Sequence, residues 1–475
     1  MRLNRSHTKV IATLGPASQD KDVLRQMYEE GIDVCRLNFS HGSHEDHLKN
    51  INTIRELNAE LDVNVAILAD LQGPKLRIGV VQNNGVELVN GSIFKLVSEK
   101  CEGTAEKAYM SYEFLPRDVK VGEMILIDDG KIKLEVIETN LKDVVTTRVI
   151  YGGILSSKKG VNLPHTKVSL PSLTEKDIAD AIFALEHNVD WLALSFVRTV
   201  SDIIDLRKLI KQSHKNTRIV AKIEKPEAID EIDQIIDMTD AIMVARGDLG
   251  VEVDFDRVPM LQKQIVEKCI NQSKPVIIAT QMMESMITNF RPTRAEATDV
   301  ANAVLDGADT LMLSGETSTG KFPVGVIQSM QKIIDWTEDH GFKYFRNHPP
   351  KDFSVTFLPD SICYNACAMA EQTQAKAILT FTHSGYTAFR MSSYRPKAPI
   401  FAFTMNTSLL PVLSLVWGVR AFTSEDYQNM EDYINNSIQF LLKKKLVKHG
   451  DVIVSVGSMP VLARGKTNML KLIYV

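Results

Sequence analysis

A carboxylate and two cations lie close together where a strongly apolar run of the chain ends. The run at 65–69 leads into Asp70, a Gly-Pro pair follows at 73–74, and Lys75 and Arg77 come next. A capped strand followed by solvated charge would explain this pattern, and so would an anion-binding site at the end of a buried strand. The other apolar runs of the chain help to decide between the two interpretations.

Five further apolar runs also end in polar residues. One polar strand end can be a cap, but six on one rim are costly to bury unless a ligand or a metal pairs their charges. The pattern therefore favours a binding site. In chain order the five ends carry Arg36, Asn38, Ser40 and His41, then Lys222 and Glu224, then Arg246, Gly247 and Asp248, then Thr280, and finally Ser314 and Glu316.

Two of these ends supply carboxylates that suit a metal ion. Lys222 and Glu224 are two residues apart, so on a strand both point to one face, although a structural salt bridge would need nothing more. Glu224 together with Asp248 would form a two-carboxylate site open to water, which suits Mg²⁺. Gly247 and Gly250 let the backbone approach a ligand, but a tight turn explains them equally well.

Residues 315–321, GETSTGK, match most of a nucleotide-binding P-loop. The next residue is Phe322 instead of the Ser or Thr that would contact Mg²⁺, and Pro323 is typical of the first turn of a helix. We therefore do not interpret this segment as a P-loop.

The elements that must position these residues alternate in type along the chain. Continuous apolar runs separated by helix-like segments are typical of parallel strands buried on both faces. Eight such runs predict an α/β fold, the (β/α)8 barrel, whose active site lies at the carboxyl ends of the strands. The predicted strands are Lys9–Leu14, Val34–Phe39, Val65–Ala69, Trp191–Val197, Arg218–Ile223, Ala241–Val244, Pro275–Ala279 and Thr310–Leu313, and the predicted helices include Lys21–Glu30, Pro226–Met238, Val258–Gln272 and Arg294–Asp306.

The alternation is interrupted after the third strand by short alternating strands with turn signals such as Asn84-Gly85 and Asp129-Gly130. We predict an inserted all-β domain at 73–170, and its two connections would let it act as a lid. A linker-like segment near residue 340 precedes a third unit, again α/β. The expected domains are therefore the barrel at 1–72 and 171–341, the β-barrel lid at 73–170, and a C-terminal α/β domain at 342–475.

Composition limits the classes of partner. The 475 residues exceed what one hydrophobic core usually serves. A formal net charge of -4 gives no reason to expect a nucleic-acid or membrane partner, and no run approaches the length of a membrane span. The five cysteines include no C-x-x-C pair, which indicates reduced thiols, no zinc site and a cytoplasmic protein.

The chain resembles the pyruvate kinase family in an ordered set of segments. They are RLNFSHG, D-x-x-G-P at 70–74, GVNLP at 160–164, KIEKPEA, ARGDLG, ATQMMESM and LSGET. The similarity covers the barrel, the inserted domain and the C-terminal domain. It implies transfer of the phosphoryl group of phosphoenolpyruvate to ADP with Mg²⁺, for which Mn²⁺ would substitute, and it implies a homotetramer.

The resemblance also implies a role for each rim residue. Lys222 corresponds to the lysine that stabilises the transferring phosphoryl group and the enolate, and Arg36 to the phosphate-binding arginine. Glu224 and Asp248 correspond to the metal ligands. The remaining correspondences are Ala245, Arg246, Gly247, Asp248 and Thr280 for substrate binding, Asn38, His41, Arg77 and Lys159 for nucleotide contacts, and Thr280, or the Ser314–Glu316 pair through water, for proton delivery.

One strand end departs from the usual family pattern, which reads Asp-Thr-Lys-Gly-Pro-Glu. Here Leu71, Gln72 and Lys75 replace the Thr, the Lys and the Glu. The chain resembles the K⁺-independent branch of the family, in which the Lys75 ammonium would supply the charge that K⁺ brings. The K⁺ site that Lys75 would replace corresponds to Asn38, Ser40, Asp70 and the backbone carbonyl of Leu71.

The C-terminal domain resembles the family's effector domain. The stretch from 380 to 387 follows a predicted strand and opens a helix, which suits a phosphate group, although an ordinary N-capped turn explains it as well. Arg464 and Lys466, in the last loop, would meet the phosphate of a sugar-phosphate or nucleotide effector. The candidate effector residues are Thr380, Thr382, His383, Ser384 and Thr387.

Two other functions fit part of the pattern. Barrel lyases that act on 2-oxo acids also use a Glu and an Asp for Mg²⁺ and stabilise an enolate, yet they do not need the inserted domain, Arg77 or Lys159. A non-catalytic metabolite sensor would keep the C-terminal domain and lose part of the rim, and no rim residue is missing.

Overall fold

The computed structural model describes residues 6–164, 166–350, 355–426, 429–460 and 467–475. Eight parallel strands close into a barrel, in which strands adjacent along the chain pair with one another and the eighth pairs with the first. The predicted (β/α)8 barrel is confirmed. Its strands are Lys9–Thr13, Val34–Asn38, Ala66–Asp70, Trp191–Leu194, Arg218–Ile223, Ala241–Ala245, Val276–Ala279 and Thr310–Leu313.

Alternate residues of the barrel strands enter different apolar clusters. In the first strand, Val10 and Ala12 pack with the surrounding helices, whereas Ile11 lies in a cluster with Val34 and Trp191 of other strands. Because both faces of each strand are buried, the strands read as continuous apolar runs. Polar side chains can therefore gather at the strand ends without disturbing the core.

Helices surround the barrel, and several begin at recognisable caps. Ser43, Thr174 and Thr293 each start a helix with a capping box. The single helix predicted over Pro226–Met238 is two helices, because Glu231 departs from helical geometry with φ -101° and ψ 14°. The helices are Lys21–Glu30, His44–Leu61, Glu175–Glu186, Val200–Gln212, Pro226–Asp230, Ile232–Met238, Arg246–Glu252, Val258–Asn271, Arg294–Asp306, Gly315–Ser318 and Pro323–His340, with a 3-10 turn at Glu284–Ile287.

A separate β-rich domain lies between the third and fourth barrel strands. It has a six-stranded sheet, a two-stranded sheet and an apolar core of its own that includes Phe94, Leu134 and Val149. A core of its own lets such a domain move as a unit. Its strands are Val86–Leu88, Ile93–Val97, Lys107–Tyr109, Met124–Ile127, Ile132–Thr139, Val144–Tyr151, Gly153–Leu155 and Val161–Asn162, with short helices at Gln82–Asn84 and Leu115–Asp118.

Barrel side chains hold both connections to the β-rich domain. On the first connection, Asp177 Oδ1 accepts the Gly73 N–H at 2.9 Å. Gly73 has φ +68°, and a side chain there would collide with the end of the fourth barrel strand. On the second connection, Arg198 donates to the carbonyl oxygens of Val168 and Leu170 at 2.6 Å each. The domain is therefore anchored at two defined points.

The C-terminal domain has a five-stranded sheet, in which only the last strand is antiparallel. Sequence reasoning missed the edge strand Val419–Thr423, in which only Val419 is buried. Among the described residues, none of the helices combines the length and the apolar composition that a membrane span requires. The strands are Ala377–Phe381, Ile400–Thr404, Val419–Thr423, Val452–Gly457 and Met469–Tyr474, and the helices are Phe357–Gln372, Tyr386–Ser393, Leu409–Val412 and Met430–Lys443, with a 3-10 turn at Leu413–Leu415.

A buried ion pair joins the C-terminal domain to the barrel. Arg395, only 1% exposed, donates to Asp309 Oδ2 at 2.8 Å and lies over the ring of Trp417. The other oxygen of Asp309 accepts the Trp417 N–H at 3.1 Å. Asp309 directly precedes the eighth barrel strand, so the C-terminal domain is attached at the amino end of the barrel, away from the polar rim.

Candidate active site

Asp70, at the end of the third barrel strand, is the centre of a buried charge cluster. Its side chain is 1% exposed, and two cations reach it from the second and fifth strands. Arg36 Nε donates to Oδ2 at 2.7 Å, and Lys222 Nζ lies 3.2 Å from Oδ1. Burial alone would raise the pKa of Asp70, but the charges of Lys222 and Arg36 outweigh it and lower that pKa. Asp70 is therefore the shared anion of the rim and not a simple strand cap.

Lys222 lies among three oxygen groups. Besides Asp70, its Nζ contacts Glu224 Oε1 at 3.0 Å and donates to Ser195 Oγ at 2.7 Å. Burial by itself would lower the pKa of Lys222, but the carboxylates of Asp70 and Glu224 raise it above the ordinary value. Lys222 is therefore a fixed positive charge at neutral pH.

Glu224 lies on the same face as Lys222, as its spacing predicts. Its Oε2 accepts the Phe196 N–H at 2.7 Å, and Phe196 adopts φ +53°, which is rare for a residue with a side chain. Burial raises the pKa of Glu224, and the negative charge of Asp248 raises it further, while Lys222 opposes both. Two carboxylates that repel one another at the rim would be stabilised by a shared cation.

Two carboxylates, those of Glu224 and Asp248, are available at this part of the rim to bind a metal ion. In the described part of the chain, no cluster of three or more His, Cys, Asp or Glu side chains could hold a metal ion. Asp248 lies in the first turn of the helix Arg246–Glu252 and is half-buried, so it is open to water. One or two carboxylates completed by water and phosphate oxygens are the ligand set that Mg²⁺ prefers. The residues therefore fit a divalent cation of this kind.

The ends of the sixth and seventh strands are tied together by Thr280. Its Oγ1 accepts the Gly247 N–H at 2.7 Å and donates to the Ala279 carbonyl at 2.6 Å, and its backbone has φ +68°. The Arg246 guanidinium instead binds Asp299 at 2.7 Å and the Thr280 carbonyl at 2.9 Å. Arg246 is thus held by structural contacts, while Ala245 is the buried last residue of its strand.

Glu316 braces the end of the eighth strand. It is 2% exposed and accepts the N–H groups of Ser314 at 2.7 Å and Met283 at 3.1 Å, one on each carboxylate oxygen. Among the hydrogen bonds of the described residues, none joins Thr280 to Ser314 or Glu316. The two candidate routes for a proton therefore remain separate groups on the rim.

The candidate nucleotide residues divide between the barrel and the β-rich domain. Burial lowers the pKa of His41, and the charges of Arg77, Lys75 and Arg36 lower it further. Arg77 also donates to the Lys158 carbonyl at 2.9 Å. The other two candidate nucleotide residues make local contacts. Asn38 Oδ1 accepts the Ser40 N–H at 3.1 Å, and Lys159 pairs with Asp128 at 2.8 Å.

A cleft that is open to solvent separates the β-rich domain from the barrel rim. Lys75 and Asp129 line its domain side, and Lys225, Asp248 and Glu252 line its barrel side. The Lys75 side chain is exposed and has no acidic partner at ion-pair distance among the described residues. The cleft therefore brings a free cation close to the candidate metal site.

Ser195 is a rim residue that sequence reasoning missed. The fourth strand was predicted to run to Val197, which places Ser195 inside it, but the strand ends at Leu194. Ser195 Oγ donates to the Leu71 carbonyl at 2.7 Å and accepts from Lys222. The carbonyl expected at the monovalent-cation site is thus already hydrogen-bonded. A polar residue directly after the apolar run WLAL was the available signal.

Part of the candidate effector stretch is internal. Thr380 and Thr387 are buried and share a hydrogen bond of 2.8 Å, so they shape the loop and do not face solvent. Thr382 accepts the Gly385 N–H at 2.9 Å, while His383 and Ser384 lie in the loop between strand and helix. The predicted phosphate contacts Arg464 and Lys466 fall outside the described residues.

Comparison with known proteins gives matches over nearly the whole chain. The family model for the pyruvate kinase barrel domain matches residues 5–327, and that for the pyruvate kinase alpha/beta domain matches residues 360–473. A pyruvate kinase of Bacillus licheniformis is 42% identical over 98% of this chain and 80% of its own, and one of Corynebacterium glutamicum is 42% identical over 98% and 96%. A solved pyruvate kinase from Cryptosporidium parvum superposes with a TM-score of 0.91 at 35% identity, covering 99% of this chain and 96% of that one.

The charge cluster predicts a pH-dependent stability. Asp70→Asn removes the anion shared by two buried cations, so we expect a loss of about 3–5 kcal/mol in unfolding free energy at pH 7. Because the folded pKa of Asp70 is lowered, its stabilisation is full above its ordinary value of about 4 and is lost as the pH falls below it. The difference between variant and parent in urea unfolding should therefore shrink below about pH 4.

The matched control for this prediction is Asp205→Asn. Asp205 pairs with Lys208 on the surface, at 61% and 66% exposure, and we expect no change at either pH. An unfolding difference between Asp70→Asn and the parent that is the same at pH 7 and below pH 4 would contradict the assigned role of the Asp70 charge.

Proposed function

The chain belongs to the pyruvate kinase family, and on that premise we propose that the rim around Asp70 is where its reaction takes place. The protein is a phosphotransferase that transfers the phosphoryl group of phosphoenolpyruvate to ADP, giving pyruvate and ATP. A barrel lyase acting on 2-oxo acids is not supported. The observation that carries the proposal is the contact of Lys222 with Asp70, Glu224 and Ser195.

Glu224 and Asp248 are the proposed ligands of the divalent metal that the family requires. The raised pKa of Glu224 beside Asp248 supports this assignment, since a cation between them removes the repulsion. Mg²⁺ is the proposed ion, with Mn²⁺ as a substitute, and when bound it would neutralise phosphate and enolate oxygens. The Phe196 N–H orients Glu224 for this role.

Lys222 and Arg36 supply the remaining positive charge for phosphoryl transfer. This chemistry asks the protein mainly to position the reactants and to stabilise charge on the moving group. Lys222 is held by three oxygen groups, and Arg36 is held by Asp70 and by Thr13 Oγ1 at 3.0 Å. Both cations are therefore fixed before the substrate arrives, which reduces the reorganisation needed in the transition state.

The carboxylate of phosphoenolpyruvate is proposed to bind at the ends of the sixth and seventh strands. The N–H groups of Gly247 and Asp248 and the hydroxyl of Thr280 would donate to it once the substrate replaces the Gly247–Thr280 and Thr280–Ala279 hydrogen bonds. Residues 245–246 would contribute through the backbone because the Arg246 side chain is anchored elsewhere. The proton reaches the enolate from Thr280, or from the Ser314–Glu316 pair through water. Proton exchange at the pyruvate methyl group in Thr280→Val and Glu316→Gln separates these two routes.

ADP is proposed to bind between the barrel and the β-rich domain, at four residues that lie outside the lining of the cleft described above. Asn38 and His41 would contact it from the barrel side, and Arg77 and Lys159 from the domain side. The lowered pKa of His41 keeps its ring neutral at pH 7, so it can serve as an uncharged hydrogen-bonding group beside cations that attract phosphates. The two anchored connections let the β-rich domain act as a lid over this cleft.

The proposed role of Lys222 is tested in an assay of phosphoenolpyruvate and ADP with Mg²⁺, in which pyruvate formation is followed. We expect Lys222→Met to lower kcat about 10²–10³-fold, because it removes a fixed charge from the transition state. Phosphoenolpyruvate affinity, measured by calorimetry without ADP, should change far less. The exposed lysine variant Lys208→Met is the control and should match the parent. Equal losses in affinity and turnover for Lys222→Met would contradict the assignment.

Lys75 is proposed to replace a bound K⁺. Its ammonium faces the cleft without an acidic partner in the described ranges, and its charge reaches His41 on the barrel side. The Leu71 carbonyl of the candidate K⁺ site already accepts from Ser195, and Asp70 is already shared by two cations. These contacts support the proposal that cationic side chains supply the positive charge that a bound K⁺ would otherwise provide.

If Lys75 replaces a bound K⁺, we expect the enzyme to be active without K⁺. The parent should be fully active in K⁺-free buffer, and Lys75→Glu should lose activity there by about tenfold or more and regain it when K⁺ is added, because the charge near the phosphate is reversed. Lys142→Glu makes the same charge change on an exposed hairpin of the β-rich domain and should behave as the parent. A parent enzyme that needs K⁺ would overturn the proposal.

Regulation and assembly are proposed from the resemblance. Within the effector stretch, the buried pair Thr380–Thr387 leaves Thr382, His383 and Ser384 as the groups for a sugar phosphate or a nucleotide. The family resemblance supports a homotetramer. Titration of the activity with both classes of effector, and sedimentation velocity, test these proposals. No response to either class, or a monomer at micromolar concentration, would contradict them.

A further inference from the structure

Glu252 lies where three parts of the molecule meet. It is the last residue of the helix that carries Asp248, and the two acids are four positions apart, so both lie on one face of that helix. Its Oε1 accepts from Lys225 Nζ at 2.7 Å and from Asn162 Nδ2 at 2.9 Å. Lys225 directly follows Glu224, and Asn162 belongs to the last strand of the β-rich domain.

The two carboxylate oxygens of Glu252 differ in their hydrogen bonds. Glu252 is 2% exposed and Lys225 is 9% exposed, so the pair is buried. Both donors converge on Oε1, while Oε2 is buried and accepts no hydrogen bond from the described residues. A buried acceptor without a donor costs free energy, so a pair built for stability alone would use both oxygens. Because Lys225 and Asn162 bind Oε1 through separate hydrogen bonds, Asn162 can leave while Lys225 stays bound.

We propose that Glu252 is a positioning residue through which the β-rich domain steadies the metal-binding carboxylates. While Asn162 is bonded, Glu252 and Lys225 are held together, and the turn after Glu224 and the helix of Asp248 are fixed relative to one another. When the domain withdraws Asn162, this tie is loosened. The inference rests on the proposed assignment of Glu224 and Asp248 to the metal, and Glu252 itself touches no reacting group.

The test measures Mn²⁺ binding to the full-length enzyme without substrates, from the electron paramagnetic resonance signal of free Mn²⁺. We expect Asn162→Ala to weaken Mn²⁺ binding about fivefold, a typical size for coupling between two sites. Its thermal unfolding should stay as in the parent, and saturating Mn²⁺ should restore kcat. The control Gln82→Ala, an exposed amide of the same domain, should bind Mn²⁺ as the parent does.

A double-mutant cycle identifies Glu252 as the intermediary. If Asn162 acts through Glu252, then Asn162→Ala should add nothing in a Glu252→Ala background. Should Glu252→Ala fail to fold, Glu252→Met takes its place, since it fills similar space and offers no oxygen to Asn162 or Lys225. Additive effects of the two substitutions, or unchanged Mn²⁺ binding in Asn162→Ala, would overturn the inference.

A further variant separates this inference from the proposed metal site. Glu224→Gln should abolish most Mn²⁺ binding if Glu224 is a ligand. Loss of binding in Glu224→Gln with parent-like binding in Asn162→Ala and Glu252→Ala would overturn the coupling and leave the metal site standing. Parent-like binding in Glu224→Gln would overturn the metal assignment and the inference with it.

Discussion

A single buried carboxylate shared by two cations determines how the rim of this barrel is built. Asp70 is almost fully excluded from water, and Arg36 and Lys222 approach it from different strand ends. Leaving any of the three buried charges alone would cost several kcal/mol, so each holds the others in place. The barrel makes this possible because its parallel strands deliver their carboxyl ends to one rim.

Two residues with strained backbones orient hydrogen-bonding groups around the cluster. Phe196 and Thr280 both adopt positive φ values that residues with side chains rarely take. Phe196 thereby turns its N–H toward Glu224, and Thr280 turns its hydroxyl toward Gly247. The apolar clusters on both faces of the strands stabilise the barrel enough to sustain these conformations. The site is therefore preorganised by the packing beneath it, and the proposed phosphoryl transfer would use charges and donors that are already oriented.

The barrel was predicted correctly from the sequence, and so was the position of polar residues at its strand ends, because both follow from local pattern. Buried parallel strands are continuous apolar runs, and a polar residue after such a run is visible without a structure. Ser195 and Glu252 were missed for a different reason. The predicted fourth strand ended three residues too late, so Ser195 was placed inside it. The partners of Glu252 come from the β-rich domain and from another strand end. Contacts between residues that are far apart in the sequence cannot be predicted from residue spacing. The burial of Thr380 and Thr387 could not be predicted from it either.

Lys222, Glu224 and Asp248 are proposed to act on one ligand at the rim that Asp70 organises. A crystal structure of the enzyme with Mg²⁺ and an unreactive analogue of phosphoenolpyruvate would test this arrangement. We expect the metal between Glu224 and Asp248, with the analogue bound to it and within hydrogen-bonding distance of Lys222 Nζ. A metal held by other residues, or an analogue bound away from Lys222, would contradict it.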